Sequence, residues 1–284
     1  MNCSIIGVRT EIFYFTGTGN SLIIARELAK RLEATLVPIA SAREVSSVLT
    51  DAELVGIVFP NYYGDIPPLV RAFAEHLVVH EKTRIFAVCT YGGGPGKTFK
   101  SLEEILEARG SSLWNTYGVH MPQNAFRKPW EKYPKIYESA TKRIDKMARL
   151  IEDRRRRRPV KDILAEALFS GMTGLFEKKT RAWLAENTGS TPELPLPELI
   201  HRADRLFSLN EDCNGCGICA EVCPADNIRI ERGRPVWSGK CENCLACYNW
   251  CPRRAITGGI AKEGYFYRHP DVTIADMIAQ KIIR

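Results

Sequence analysis

The chain has 284 residues, 45% hydrophobic and 26% charged, with a net charge of +7 and ten cysteines. That length accommodates two domains, and the composition excludes a disordered chain. No apolar run reaches membrane-spanning length, and the N-terminus lacks a basic stretch followed by an apolar one, so a cytoplasmic protein with no membrane attachment is expected. Five of the positive charges are the run Arg154 to Arg158, which closes a helical pattern before Pro159 and reads as a solvated helix end. Without basic residues interleaved with aromatics, nucleic acid is not an expected partner.

Residues 11 to 16, Glu-Ile-Phe-Tyr-Phe-Thr, form an apolar run expected to be a strand. It feeds into Thr16-Gly17-Thr18-Gly19-Asn20-Ser21, followed by an amphipathic stretch from Leu22 to Leu32. Strand, glycine loop and helix in that order present free amides, hydroxyls and the positive end of a helix dipole, a setting for phosphate. A dinucleotide fingerprint would need a third glycine where Leu22 stands, which disfavours NAD. The alternation continues with strands at Thr35 to Ile39 and Leu54 to Pro60, and a helix over Pro68 to Val79. A strand over Arg84 to Tyr91, a helix over Thr98 to Arg109 and a strand over Leu113 to His120 complete it. Long apolar strands alternating with helices predict an α/β fold with a doubly wound parallel sheet covered on both faces.

Ligands of such sheets bind at the carboxyl ends of the strands. Two further loops belong there, Pro60 to Pro67 with its Asn61-Tyr62-Tyr63-Gly64 core, and Thr90-Tyr91-Gly92-Gly93-Gly94-Pro95-Gly96. The sequence Gly96-Lys97-Thr98 ends like a nucleotide-triphosphate loop, but that motif needs a glycine where Tyr91 stands. Cys89 lies in an apolar strand and reads as a small buried thiol, and neither it nor Cys3 is a candidate ligand.

The Thr16–Ser21 loop and the two strand-end loops resemble the flavodoxin family over roughly residues 8 to 155. That resemblance implies FMN, with Thr16, Gly17, Thr18, Gly19, Asn20 and Ser21 on the phosphate. It further implies that Tyr62 or Tyr63 stacks on or edges the ring, and that Thr90, Gly92, Gly93 and Gly96 bring backbone close to it. The flavodoxin-like domain is expected over residues 8–158.

Helical patterns follow over Tyr133 to Arg158 and Ile163 to Glu186, separated by Pro159. The apolar stripe Phe169, Met172, Leu175, Phe176 and Trp183 reads as helix packing. Pro192, Pro195 and Pro197 mark a boundary, so residues 159–205 are expected to be a helical, proline-rich linker. Residues 206–284 would be a small α+β domain with a C-terminal extension, entered by a short strand at Arg205 to Ser208.

That last region holds Cys213-x2-Cys216-x2-Cys219-x3-Cys223-Pro224 and Cys241-x2-Cys244-x2-Cys247-x3-Cys251-Pro252. Zinc would need four thiolates and no third cysteine two residues on, and a disulfide framework fits poorly in a reducing compartment. Small residues at Gly215 and Gly217 would let amides approach cluster sulfides. The two runs resemble bacterial two-cluster [4Fe-4S] ferredoxins, in which the Cys-Pro cysteine ligates the cluster of the other run. The resemblance implies one cluster on Cys213, Cys216, Cys219 and Cys251, and a second on Cys241, Cys244, Cys247 and Cys223.

The whole chain resembles the proteins that fuse a flavodoxin domain to a two-cluster ferredoxin domain. The features are Tyr14 to Ser21, the segment Met121-Pro122-Gln123-Asn124-Ala125-Phe126 and the paired cysteine runs. The family tends to have an aromatic directly after that asparagine, where this chain has Ala125 and then Phe126. An electron-transfer protein is implied, since a flavin trades electrons in pairs or singly and a cubane cluster one at a time. Its partner would be a redox protein or a small-molecule acceptor. One alternative is an FMN-dependent reductase with His120, Asn124, Arg127 and Tyr63 as candidate polar groups over the ring. A redox or iron-sulfur sensor is the other, although no output element accompanies the clusters.

Overall fold

The computed structural model describes residues 9–126, 130–154 and 160–282, and for residues 160–173 the backbone only. Cys3, Arg127, Arg155 to Arg158, Pro159 and the side chains of Phe169 and Met172 lie outside the described residues.

The N-terminal half runs β1 (Thr10–Tyr14), α1 (Asn20–Arg31), β2 (Thr35–Pro38), β3 (Val48–Leu49), β4 (Leu54–Pro60), α2 (Pro68–His76), β5 (Leu77–Val78), β6 (Arg84–Tyr91), α3 (Thr98–Ala108) and β7 (Leu113–His120). Five strands form one sheet in the order β2-β1-β4-β6-β7, every neighbouring pair parallel. Counted within the sheet this is the order 2-1-3-4-5 of the flavodoxin-like doubly wound fold. Expected and observed strands of this sheet agree within two residues: β1 ends at Tyr14 and not at Thr16, Ile39 begins a 3-10 turn, and the pattern read as helix to Val79 breaks into β5 after His76.

The strands are apolar because both faces are covered. Ile12, Val55, Ile57, Val58, Phe59 and Phe86 are fully buried, as parallel strands between two helical layers must be. Helix α1 turns Leu22, Ile24, Ala25 and Leu28 inward, and α4 (Tyr133–Glu152) buries Ile136, Ala140, Ile144, Met147 and Ile151. Each buried Leu, Ile or Phe contributes about 1.5–3 kcal/mol. Exposed ion pairs such as Lys142–Glu138 contribute about 0–1 kcal/mol, so the apolar layers set the stability of this half.

The C-terminal half contains α5 (Val160–Thr188), α6 (Leu196–His201), β8 (Phe207–Leu209), α7 (Ile218–Glu221), β9 (Ile228–Glu231), β10 (Arg234–Trp237), α8 (Ala246–Trp250), β11 (Ile256–Gly258) and α9 (Ile274–Ala279). Strands β8 and β11 pair antiparallel, and β9 and β10 form a hairpin. The segment expected as a linker is docked. Leu184, Ala185, Leu196, Leu199, Ile200 and Ala203 form a small core of their own, with Tyr63 packed against it. Among the described residues no helix is long and apolar enough to cross a membrane.

The two halves share a core. Val222, Cys244, Ala246, Trp250, Val272 and Met277 belong to the same buried cluster as the sheet. The tail then returns across the first half. His269 N–H donates to Thr18 O at 2.9 Å, the Tyr267 hydroxyl donates to Asn20 Oδ1 at 2.6 Å, and Arg26 of α1 pairs with Asp276 of α9.

Asp276 also closes a capping box with Thr273. Burial alone would raise its carboxyl, but the Arg26 guanidinium and the Thr273 amide and hydroxyl outweigh it and bring it down to about 2. A depressed carboxylate stabilises docking above its ordinary value near 3.8 and loses that contribution as pH falls toward 2. Asp276→Asn is therefore expected to speed amide exchange of residues 272–280 roughly twofold to fivefold at pH 7, and to flatten the acid dependence of that exchange. Equal protection of variant and parent in hydrogen-exchange mass spectrometry would contradict the assignment.

Candidate functional site

The loops after β1, β4 and β6 converge at the carboxyl edge of the sheet, where the strand order reverses. They enclose a cavity of about 870 Å³. Thr16, Gly17, Thr18, Asn20, Ser21, Tyr62, Tyr63, Thr90, Gly92, Gly93 and Gly96 all line it. Gly19 does not; it caps α1 in a left-handed conformation, φ 101°, and donates its N–H to Thr16 Oγ1 at 3.1 Å. Ser21 Oγ and Thr90 Oγ1 share a hydrogen bond of 2.8 Å, which ties the first loop to the third. Asn61 ties the second to the third, donating from Nδ2 to Gly94 O at 2.7 Å while its own N–H donates to Thr90 O at 2.8 Å. The floor of the cavity is thus a single cross-linked set of neutral donors at the start of a helix, which fits a phosphate ester.

The tyrosines divide their tasks. Tyr62 stands edge-on to Phe15, ring centroids 6.2 Å apart. Burial of its hydroxyl, followed by the nearby Cys244, Glu242 and Cys241, pushes its ionisation well above the ordinary phenol value, so the hydroxyl keeps its proton. Tyr63 accepts a hydrogen bond from Asn243 Nδ2, in the middle of the second cysteine run.

His120, an expected polar group over the ring, does not line the cavity; its ring lies 6.4 Å from that of Tyr91. Asn124 lines it and donates from Nδ2 to Cys244 O at 3.1 Å. Ala125 is buried with the C-terminal core and Phe126 is 55% exposed; both line the cavity.

The reading of the α5 stripe as helix packing is corrected for Phe176 and Trp183. They are 52% and 40% exposed and, with Lys179 and Thr180 between them, line the cavity. The spacing of 176, 180 and 183 puts one helical face there. The sequence signal was visible, but periodicity does not say which apolar surface a helical stripe meets. Lys97, at the end of the third loop, pairs with Glu177 of α5 at 2.7 Å and with Asp65 of the second loop at 3.4 Å, a structural tie and no phosphate ligand.

The eight cysteines of the two runs ring two small cavities. Cys213, Cys216, Cys219 and Cys251 line one, and Cys223, Cys241, Cys244 and Cys247 line the other. The Cys-Pro cysteine of each run is therefore beside the three close-set cysteines of the other. Burial pushes the Cys219 thiol up to about 11, with Cys251, Cys216 and Cys213 adding to the rise. Burial, then Cys247 and Cys244, and further Cys223, hold Cys241 well above the ordinary thiol value. Buried thiols such as Cys219 and Cys241, whose thiol neighbours oppose their ionisation, belong to sets that positive metal would neutralise, releasing their protons. Backbone N–H groups already point at the sulfurs, from Asn243 to Cys241 at 3.2 Å, Ala255 to Cys251 at 3.3 Å and Asn227 to Cys223 at 3.4 Å. Such bonds stabilise the thiolate and raise the potential of a cluster. Gly215 has a reason beyond small size: its φ is 72°, and a Cβ there would lie 2.5 Å from Gly233 O of the β9–β10 turn. Among the described residues no group of three or more His, Cys, Asp or Glu side chains is drawn together tightly enough to hold a single ion.

The inner thiol cavity and the loop cavity share a wall. A Cβ on Gly17 would run into Cys244 O, and would lie 2.7 Å from the Tyr62 hydroxyl and 2.9 Å from Cys244 Cβ. Trp250 Nε1 donates to Gly17 O at 3.0 Å from the end of α8. Buried Glu242, whose carboxyl is pushed up to about 8 by burial against the pull of the Leu69 amide, accepts the Leu69 N–H at 3.0 Å. The second cysteine run is thereby fastened to the start of α2. The outer thiol cavity differs in exposure: Cys216 is exposed and Cys213 and Cys251 half-buried, whereas all four cysteines of the inner one are buried.

Residues 212–256 match the 4Fe-4S dicluster domain family. No curated protein sequence matches the chain. Among solved structures, the chain is similar to a flavodoxin of Streptococcus pneumoniae at 13% identity, covering 51% of this chain and 99% of that one with a TM-score of 0.36. It is similar to the flavodoxin of Megasphaera elsdenii at 20% identity, 47% and 98% coverage and a TM-score of 0.31. An FMN-dependent NADH-azoreductase of Bacillus anthracis matches at 11% identity, 50% and 98% coverage and a TM-score of 0.37. With its strand order, its loop cavity and its cysteine domain together, the chain is a fusion of a flavodoxin-like domain with a ferredoxin-type 4Fe-4S domain.

Proposed function

We propose that this is an electron-transfer iron-sulfur flavoprotein that passes electrons between two [4Fe-4S] clusters and FMN. Bound FMN would exchange electrons in pairs or singly, and the clusters would exchange them singly. The observation that carries the reading is the contact of Gly17, in the phosphate loop, with the main chain of Cys244, in the inner thiol ring. Cys213, Cys216, Cys219 and Cys251 would hold the outer cluster, and Cys241, Cys244, Cys247 and Cys223 the inner one. Exposed Cys216 makes the outer ring the side where a redox protein can approach, and the buried inner ring the relay toward the flavin loop. Thr18, Ser21 and the amides that open α1 would hold the phosphate. Tyr62 would border the ring with its phenol protonated. Trp250, Asn124 and Glu242 act as positioning residues that fix the cysteine module against the loops.

The test is anaerobic rapid mixing of the loaded protein with a one-electron donor, following cluster and flavin bands. Bleaching of both bands in sequence supports the relay; a flavin band that responds only to direct reductant would refute it. Replacing Thr18 and Ser21 together with Ala is expected to weaken FMN retention by about tenfold or more, because bonds to a charged phosphate are worth about 1.5–3 kcal/mol each. Unaltered affinity in a flavin-release titration would place the phosphate elsewhere.

A second reading, an FMN-dependent reductase of a small molecule, is favoured by one observation. The cavity is walled by α5 through Phe176, Thr180 and Trp183, whereas a pure carrier needs only an open flavin edge. Saturable reoxidation of the reduced protein by a small molecule would select this reading over the carrier.

A further inference from the structure

The wall that α5 adds differs from the floor. The floor is cross-linked loop backbone and hydroxyls, enclosed from the other side by Trp250, Tyr267 and His269, which bond to Gly17, Asn20 and Thr18. The wall is attached to the second and third loops: a Cβ on Gly64 would lie 3.5 Å from Phe176 Cε1, and Glu177 pairs with Lys97. It presents aromatic rings, Phe176 and Trp183, with Phe126 beside them, all between 40% and 55% exposed. Exposed apolar groups gathered at the mouth of a cavity mark a ligand surface.

Among the described residues that line the cavity, Lys179 is the only charged side chain, and no carboxylate lines it. The side chains of Lys179 and its neighbour Thr180 have no hydrogen-bond or ion-pair partner among the described residues. An ammonium group over an apolar, aromatic wall selects a flat ring that carries one negative charge. The phosphate does not need this cation, since the first loop answers it with neutral donors at a helix start. We propose that the α5 wall makes the cavity a two-ligand compartment, whose second occupant is an aromatic carboxylate. Its ring would lie against Phe176, Trp183 and Phe126, and its carboxylate would meet Lys179 Nζ and Thr180 Oγ1. The proposal rests on the reading of the Thr16–Ser21 loop as the FMN site.

The experiment is anaerobic calorimetric titration of the cluster- and FMN-loaded full chain with trans-cinnamate and with neutral cinnamamide, after FMN has been counted per chain. Saturable binding is expected, with cinnamate preferred by about tenfold. Lys179→Met is expected to abolish that preference with FMN stoichiometry unchanged, and Trp183→Ala to weaken both ligands. One FMN per chain with no saturable cinnamate binding overturns the second compartment and leaves the flavin reading intact. Equal binding of acid and amide, or a Lys179→Met variant that loses FMN and keeps its preference for cinnamate, overturns the carboxylate assignment. Cinnamate bound to a chain that retains no FMN would overturn the flavin reading while supporting the α5 wall as an aromatic-acid site.

Discussion

Cys251→Ala is expected to lower the iron content from about eight atoms per chain to about four, with FMN retained. The variant removes one thiol from the outer ring of Cys213, Cys216, Cys219 and Cys251, and none from the inner ring. The result is counter-intuitive from the chain alone, because Cys251 closes the run that begins at Cys241. Iron and sulfide analysis, with low-temperature magnetic resonance of the reduced protein, would show one surviving cluster whose neighbour is missing. Cys223→Ala should remove the other. Loss of the inner cluster in Cys251→Ala would mean that each run ligates its own cluster, and a full iron complement would mean that Cys251 ligates neither.

The second large effect concerns a single hydrogen. Gly17→Ala would place a methyl group on the main chain of Cys244 and within 2.7 Å of the Tyr62 hydroxyl. Gly17 has no positive φ, so alanine meets no backbone strain there; the whole effect is the contact. The atom it strikes is backbone beside a ligand cysteine, with little freedom to move. Overpacking of this kind costs about 1–3 kcal/mol, enough to part the cysteine module from the phosphate loop in a large share of molecules. Flavin reduction through the clusters should slow by about tenfold or more, and FMN should leak. Gly174→Ala is the control, since a Cβ there meets nothing within 4 Å and the residue does not line the cavity. Equal rates in the two variants, measured by rapid mixing, would show that the Gly17 contact is incidental.

The sheet was legible because its signals are local. Apolar runs such as Leu54 to Pro60, bounded by loops rich in glycine and proline, gave strand limits that the structure reproduces. The loop residues were legible because phosphate chemistry demands particular residue types in sequence, and eleven of the twelve lie on the cavity. Gly19 fell outside because its work is to turn the chain into α1. What one sequence could not supply was the partner of each amphipathic face. Phe176 and Trp183 read as packing residues because a helical period reports which side chains share a face and not what covers it. The tail was equally opaque: Tyr267, His269 and Asp276 lack a motif, and their importance comes from where the chain returns.

That return makes the two cofactor regions thermodynamically linked. Thr18, Gly17 and Asn20 each bond to a residue from position 250 onward, so a nascent chain cannot complete the phosphate loop until residues 250 to 269 have emerged and folded back. On the proposed reading, whatever orders the cysteine module, iron included, would tighten flavin binding, and flavin would tighten the hold on iron by the same factor, because coupling between two sites is reciprocal. Iron starvation would accordingly release a chain that has also loosened its flavin.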